Sequence, residues 1–337
     1  MQEKFTILDY RSVKPECWEG YVFNHKEGNV FQTYAYLQLH QDVRNTFPFG
    51  FALINNESIV GVVAGVIYQN YFFPVNVFTK RAVVIGGPLA DADNPELSSL
   101  LLEKMVGYLK KKAVYVQFRN IRDVSAINES FIKAGFVFEN HLDIVHDLRM
   151  DGEEIRKKVS RNKRNNVVKA QNRGAVFSEI ASIEEFEAAI GLVFETYRRV
   201  GLPCPTKAFF IKAYHALQGV LKTFVVVFEG KPVGVRLELC YKNMVYDWYA
   251  GSDDHYKNCY PNDVLPYNIL FWAKENKYNT FDFGGAGKPN VEYGVRDHKL
   301  KFGGDLVDYG RYERVNSKMI MFFSEKAFAL LKKLKSK

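Results

Sequence analysis

Four cysteines in 337 residues, at 17, 204, 240 and 259, are too few and too scattered for a disulfide framework. No CxxC pair exists and no Cys/His spacing suits zinc, so no metal site is expected. The thiols read as reduced, and a cytoplasmic location is expected. No apolar run reaches the length needed to span a bilayer. The start, MQEKFTILDYRS, has no apolar run either, so no signal peptide is expected. No Gly-x-Gly-x-x-Gly opens a helix after a strand, which removes the dinucleotide fingerprint. Gly287-Lys288 is followed by Pro289, and Asp282 stands where a phosphate-binding P-loop needs glycine. The histidines form no i, i+4 pair and follow no Ser/His/Asp order.

What is present is apolar, aromatic and basic. The chain is 47% hydrophobic and 15% aromatic, a core-forming composition far from disorder. Its length allows two domains. A net charge of +8 favours anionic partners such as nucleic acid, phosphorylated substrates or a membrane face. Between Ile155 and Ser178 lie eight Lys or Arg and no acid. The spacing predicts one basic helix over 153–173. It reads either as a solvated helix with Ile155, Val159, Val167 and Ala170 facing a core, or as a phosphate-contact surface.

Strands and helices alternate along the chain. Strand character falls on 4–9, 51–54, 59–68, 81–88, 113–118, 136–148, 223–228, 232–241, 244–250 and 279–283. Helical spacing falls on 32–40, 94–112, 124–134, 182–200, 206–219, 262–276 and 317–335. Ser182 and Glu185 have capping-box spacing. FALINNESIVGVVAGVIYQN (51–70) lies over FVVVFEGKPVGVRLELCYKN (224–243) without a gap. In each copy a strand, a long helix and another strand follow. The chain therefore reads as one α/β unit used twice.

The chemistry concentrates in 281–304, FDFGGAGKPNVEYGVRDHKLKFGG. Glycines break a buried strand end, and Arg296, Lys299 and Lys301 follow. Cations beyond such a turn can meet an anionic substrate or a developing oxyanion. Asp247, within VYDWYAGSDD, and Asp282 are acids inside apolar strands, where an acid is normally paired or functional.

The run from VYDWYAGSDD to FDFGG, with GVRDHKLKFGG after it, resembles the Fem family of peptidoglycan-bridge aminoacyltransferases. Gly251-Ser252, Pro261-Asn262, Asp282 with Gly284-Gly285, and Lys299 with Phe302 hold the places of that family's motifs. SRNKRNNVVKAQNRG (160–174) is similar to its Lys/Arg-rich segment. The resemblance covers roughly 30–310. It implies an α/β (α+β) chain of two tandem GNAT-like acyltransferase domains with mixed central sheets and no coiled-coil arm. Domains of 1–149 and 150–316 are expected, with helix 317–335 packing back on the first. The implied activity is aminoacyl or acyl transfer to an amine of a peptidoglycan-type envelope precursor, with no bound cofactor. The implied donor is aminoacyl-tRNA; the alternative reading is an acyl-CoA-dependent N-acyltransferase of envelope sugars or peptides. A non-catalytic RNA- or membrane-surface-binding protein is the remaining reading.

Site expectations follow from the resemblance. Lys299 is the catalytic cation, with Asp247 or Asp282 orienting the acceptor amine or taking its proton. Gln38, Lys207, Tyr249, Tyr256, Asn262 and Phe302 are expected to contact substrate. Arg161, Lys163 and Arg164 are expected to contact tRNA or another phosphate. Expected partners are an anionic envelope precursor, tRNA and a membrane surface. The chain departs from the family at His298, where a Phe precedes the motif lysine, and at Gln38 and His40, where a basic contact is expected. Pro205 also stands near the place of a second such contact, with Lys207 two residues on.

Overall fold

The computed structural model describes residues 5–69, 79–317 and 321. It divides into two units, one of residues up to 140 together with those from 309 onward, the other of 141–308. The first begins with strand β1 (Thr6–Asp9) and helices α1 (Pro15–Asn24) and α2 (Tyr34–His40). The Thr33 hydroxyl caps α2 by accepting from Tyr36 N–H. Then come β2 (Thr46–Asn55), β3 (Ser58–Tyr68), β4 (Arg81–Ile85), β5 (Leu89–Ala90), α3 (Pro95–Leu109), β6 (Tyr115–Arg119), α4 (Asn128–Lys133) and β7 (Val137–Glu139). Asn94 caps α3 and Pro95 opens it. That helix lays Leu97, Leu101, Leu102, Met105 and Leu109 on the sheet, each fully buried Leu or Met being worth about 1.5–3 kcal/mol.

The second unit runs β8 (Leu142–Asp147), α5 (Gly152–Lys158), α6 (Arg161–Asn172), β9 (Val176–Glu179), α7 (Ile183–Arg199), α8 (Lys207–Ala216), β10 (Leu221–Phe228), β11 (Lys231–Tyr241), β12 (Met244–Ser252), α9 (Pro261–Glu275), β13 (Thr280–Gly285), α10 (Gly294–Leu300) and β14 (Asp305–Asp308). The last described strand, β15 (Arg311–Val315), returns to the first unit. The helix expected over 317–335 falls, but for residues 317 and 321, outside the described residues.

The internal repeat is exact in register. Ala52 faces Val62 and Leu53 faces Gly61, as Val225 faces Val235 and Val226 faces Gly234. A bulge follows Leu53 in one hairpin and Val226 in the other. Both hairpins close in two-residue turns with positive φ throughout, Asn56-Glu57 and Glu229-Gly230. Such turns match the right-handed twist of the strands. In each unit the next strand pairs antiparallel, a 15-residue helix opened by proline crosses over, and the following strand returns parallel.

The sheet orders are β1-β2-β3-β4-β6-β15-β7 and β9-β10-β11-β12-β13-β8-β14, with β5 off the first path beside β3. The sixth place in each sheet is filled by a strand from elsewhere in the chain. β7 and β8 are separated by two residues, and so are β14 and β15, yet neither pair forms a hairpin. Instead β15 lies between β6 and β7, and β8 between β13 and β14. The single strand expected over 136–148 is therefore two strands in different sheets. The chain passes between units at 140–141 and 308–309, rather than near 149 and 316.

Other expectations are corrected locally. The basic helix over 153–173 is broken at Val159-Ser160, where both residues are extended or near it. Val159 is buried and Ser160 N–H donates to the Lys301 carbonyl at 2.8 Å, so tertiary contacts hold the break. Only half of the Ser182 capping box forms: Ser182 accepts from Glu185 N–H, but the Glu185 carboxylate accepts from Ala181 N–H. Gly251-Ser252 closes strand β12. A Cβ on Gly251 would lie 2.4 Å from the backbone carbon of Leu192 on α7. Gly251→Ala should therefore lower stability by roughly 1–3 kcal/mol or more, measured by denaturant unfolding. An unchanged midpoint would show that α7 can retreat.

Candidate active site

The parallel strands of the two units differ. β4 and β6 pair over five positions, Arg81–Ile85 with Tyr115–Arg119. β12 and β13 pair only over Met244–Tyr246 and Thr280–Asp282, then part. Past the split β12 stays with β11, while Gly285 pairs with Asp143 on β8. Backbone carbonyls at the free end of β13 need new donors. Lys299 on α10 supplies them: Nζ donates to the carbonyls of Phe283 at 2.5 Å, Gly284 at 3.3 Å and Gly285 at 3.3 Å. Gly284 sits at φ 68, a left-handed conformation glycine adopts without steric cost.

Charged groups gather around that ammonium. Arg236 on β11 pairs with Asp247 on β12 at 2.5 Å, and both side chains are nearly enclosed. A bulge between Leu237 and Glu238 sets Glu238 directly opposite Asp247. Glu238 is 0% exposed and neither carboxyl oxygen has a hydrogen-bond partner among the described residues. Burial, with the Asp247 charge behind it, raises its pKa well above the usual carboxylate range. Asp282 is also 0% exposed; one oxygen accepts from Gly284 N–H at 2.7 Å. Burial pushes its pKa well up, and the neighbouring Asp143 adds to this by its charge and a shared hydrogen bond. Lys299 itself is half-buried. Burial lowers its pKa from the ordinary 10.5, while Asp247 and Asp143 pull it back up.

A second polar chain flanks this one. Lys163 on α6, only 7% exposed, forms an ion pair with Asp263 at the start of α9. Asn166 donates to the other Asp263 oxygen at 2.7 Å. Lys163 Nζ also donates to His298 Nδ1 at 3.1 Å, and His298 Nε2 lies 3.3 Å from the Asn262 carbonyl. That carbonyl is free because Pro266, four residues on within α9, has no N–H to give it. Asn262 Nδ2 donates to Ser252 Oγ at 3.0 Å. Phe302 is fully buried against Phe283 and His298.

His298 is thus held as a neutral ring with its proton on Nε2. Its pKa is pushed down to about 4, by burial first and the Lys163 charge second. The unfolded imidazole titrates near 6.5, so between that pH and about 4 the unfolded chain binds more protons. The stability this group contributes is complete above pH 6.5 and is lost as pH falls toward 4. His298→Phe should show a shallower loss across that window in denaturant unfolding. Equal slopes would mean His298 is not buried neutral.

Of the residues expected from sequence, Lys299, Asp247 and Asp282 come together within the second unit, with Asn262 and Phe302 beside the flanking chain. The others lie apart. Tyr249 packs edge-on to Phe210 and Trp248. Tyr256 packs on Phe228. Lys207 is exposed and pairs with Glu187 at 2.8 Å. Gln38 is half-buried on α2 of the first unit. Arg161 is exposed and Arg164 half-buried on α6, but Lys163 between them points inward to Asp263 rather than to a solvent-side phosphate. Arg296 is spent on the loop, donating to the carbonyls of Lys288 at 2.9 Å and Val291. Sequence reasoning passed over Arg236 and Glu238. The signal was present, since VRLELC puts both charges on one face of an apolar strand. In the first unit Val63 and Gly65 hold the matching positions of β3, so the charged floor belongs to the second copy alone.

Residues 157–299, nearly the whole second unit, match the acetyltransferase (GNAT) domain family. The second unit is an acyltransferase domain of the GNAT type. The crystal structure of FemX superposes with a TM-score of 0.73 at 15% identity, covering 95% of this chain and 100% of that one. A tandem GNAT protein from the clavulanic acid biosynthesis pathway superposes at 0.55 and 8% identity, covering 93% and 99%. The chain has a FemX-like tandem GNAT fold. The L-PGS structure from Bacillus licheniformis shares this tandem GNAT fold at 0.60 and 17% identity, with 93% and 96% covered. No curated protein sequence matches the chain. Among the described residues, no helix of this tandem GNAT chain is long and apolar enough to cross a membrane.

Proposed function

We propose that the protein is a Fem-like acyltransferase that joins an aminoacyl or acyl group to an amine of a cell-envelope precursor. The observation that carries this is the Lys299 ammonium, set among Asp247, Asp143 and Asp282 where β12 and β13 part in the GNAT unit. In the reaction the amine nitrogen attacks an ester or thioester carbonyl, and the carbonyl π electrons move to oxygen. The oxyanion collapses, the C–N bond stays, the bond to the leaving oxygen or sulfur breaks, and the ammonium proton must depart. Lys299 opposes the oxyanion charge. Asp247, held by its ion pair with Arg236, is the acid this reading gives the role of directing the amine, since Asp282 is fully enclosed and tied to Gly284 N–H. Asp282 serves instead to hold the β13 turn that Lys299 caps.

Aminoacyl-tRNA is the donor this reading favours, from the FemX likeness and from the similar fold of a lysylphosphatidylglycerol synthetase C-terminal domain. Acyl-CoA is the second reading, favoured by the acetyltransferase family match over 157–299. Binding RNA without catalysis is disfavoured, since Lys163 faces inward and Arg173 donates to the Asn258 carbonyl. The test is incubation with charged tRNAs and with acyl-CoAs beside muropeptide amines and aminolipids, following product mass. An amide formed from one donor class identifies it. Absence of transfer from either class would overturn the proposal.

A further inference from the structure

The first unit carries a concavity of about 700 Å³ on its own surface, within the size range of small-ligand sites. It lies where the 41–45 loop, the start of β2, the residue before β4 and the end of α3 meet. Among the described residues, Arg11, Arg44, Lys80, Lys111 and Lys112 line it, with Asp42 as the lining acid. Asp9 holds the Arg11 guanidinium through both oxygens, at 2.8 and 2.9 Å, and feels the Lys112 charge. Even with Arg44, which has a partner of its own, set aside, cations exceed these two acids among the described residues around the hollow. Like charges brought to one concave wall repel unless an anion relieves them. Phe47, 48% exposed, adds an apolar ring to the same wall. The Lys112 ammonium stands over the Tyr108 ring at 3.9 Å, which fixes it at the rim.

We infer that this hollow binds a phosphate-bearing group, with the basic side chains on the phosphate oxygens and Phe47 against the organic part. None of these residues belongs to the unit that holds Lys299, and the inference stands whatever the donor proves to be. A soluble diphosphate and a phospholipid headgroup present the same chemistry, and binding experiments separate them. Isothermal titration of the full chain with inorganic pyrophosphate tests the first source. Cosedimentation with phosphatidylglycerol vesicles, against phosphatidylcholine vesicles, tests the second.

The deciding comparison is between two charge-matched triple variants. In one, Lys80→Gln, Lys111→Gln and Lys112→Gln are combined. In the other, Lys133→Gln, Lys231→Gln and Lys277→Gln remove three exposed charges elsewhere. The first should bind about tenfold more weakly than the unaltered chain, and the second within about twofold of it. Pyrophosphate binding without vesicle binding assigns a soluble phosphate ligand. Selective binding to phosphatidylglycerol vesicles that the first variant loses assigns a headgroup. Equal losses in the two variants, or no binding of either probe, would overturn the inference.

Discussion

Lys299→Ala is expected to cut acyl transfer by about 10²–10³-fold, the usual cost of removing one preorganised oxyanion partner. The loss should fall on kcat more than on KM, because the charge it opposes develops only as the carbonyl is attacked. The side chain also donates to three carbonyls of β13, so an unfolding midpoint must accompany the assay. Lys299→Arg keeps the charge but not the compact three-way donation to Phe283, Gly284 and Gly285, and should recover only part of the rate. The intact enzyme should lose activity on the alkaline side below the ordinary lysine value of 10.5, because burial lowers the Lys299 pKa and the charged form is the active one. Full turnover by a folded Lys299→Ala protein would remove this residue from the chemistry.

The second large effect concerns stability. Lys163→Met leaves Asp263 buried and charged with Asn166 as its remaining side-chain donor, and should cost about 3–5 kcal/mol. Lys163→Met combined with Asp263→Leu should regain most of that, because the cost lies in the orphaned charge rather than in the pair. Denaturant unfolding of the two variants reads both. His298 provides a second signal: loss of the Lys163 charge, one of the causes holding its pKa down, should raise it from about 4 in the single variant, seen by NMR titration. If Lys163→Met unfolds like the unaltered chain, the side chain is not enclosed, and its reading as a phosphate contact returns.

How much of this could be read beforehand differs between elements. The two hairpins were legible as one ungapped repeat, but their register was not, because the strands are buried on both faces over Gly61–Ile67 and Val233–Cys240 and carry no period-two alternation to fix it. The cap at Ser182 was legible because it is local, bonding to Glu185 three residues on. The break at Val159-Ser160 was not, because its partner is the carbonyl of Lys301. Lys163 looked like one more cation in a basic run. Only Asp263, on a helix 100 residues away in sequence, distinguishes it from Arg161.

By itself the sequence determined the twofold α/β repeat, the hairpin, long helix and returning strand of each copy, the acids inside apolar strands and the late loop where the lysine sits. Those are properties of periodicity, capping and composition, which act over a turn of helix or the width of a hairpin. Tertiary structure alone decided which strand completes which sheet, that β12 and β13 part after three paired positions, and which charges face one another where they do. Strand exchange and the pairings of Arg236 with Asp247 and of Lys163 with Asp263 depend on where the chain returns. A buried charge takes its meaning from its neighbour in space, and local sequence does not name that neighbour.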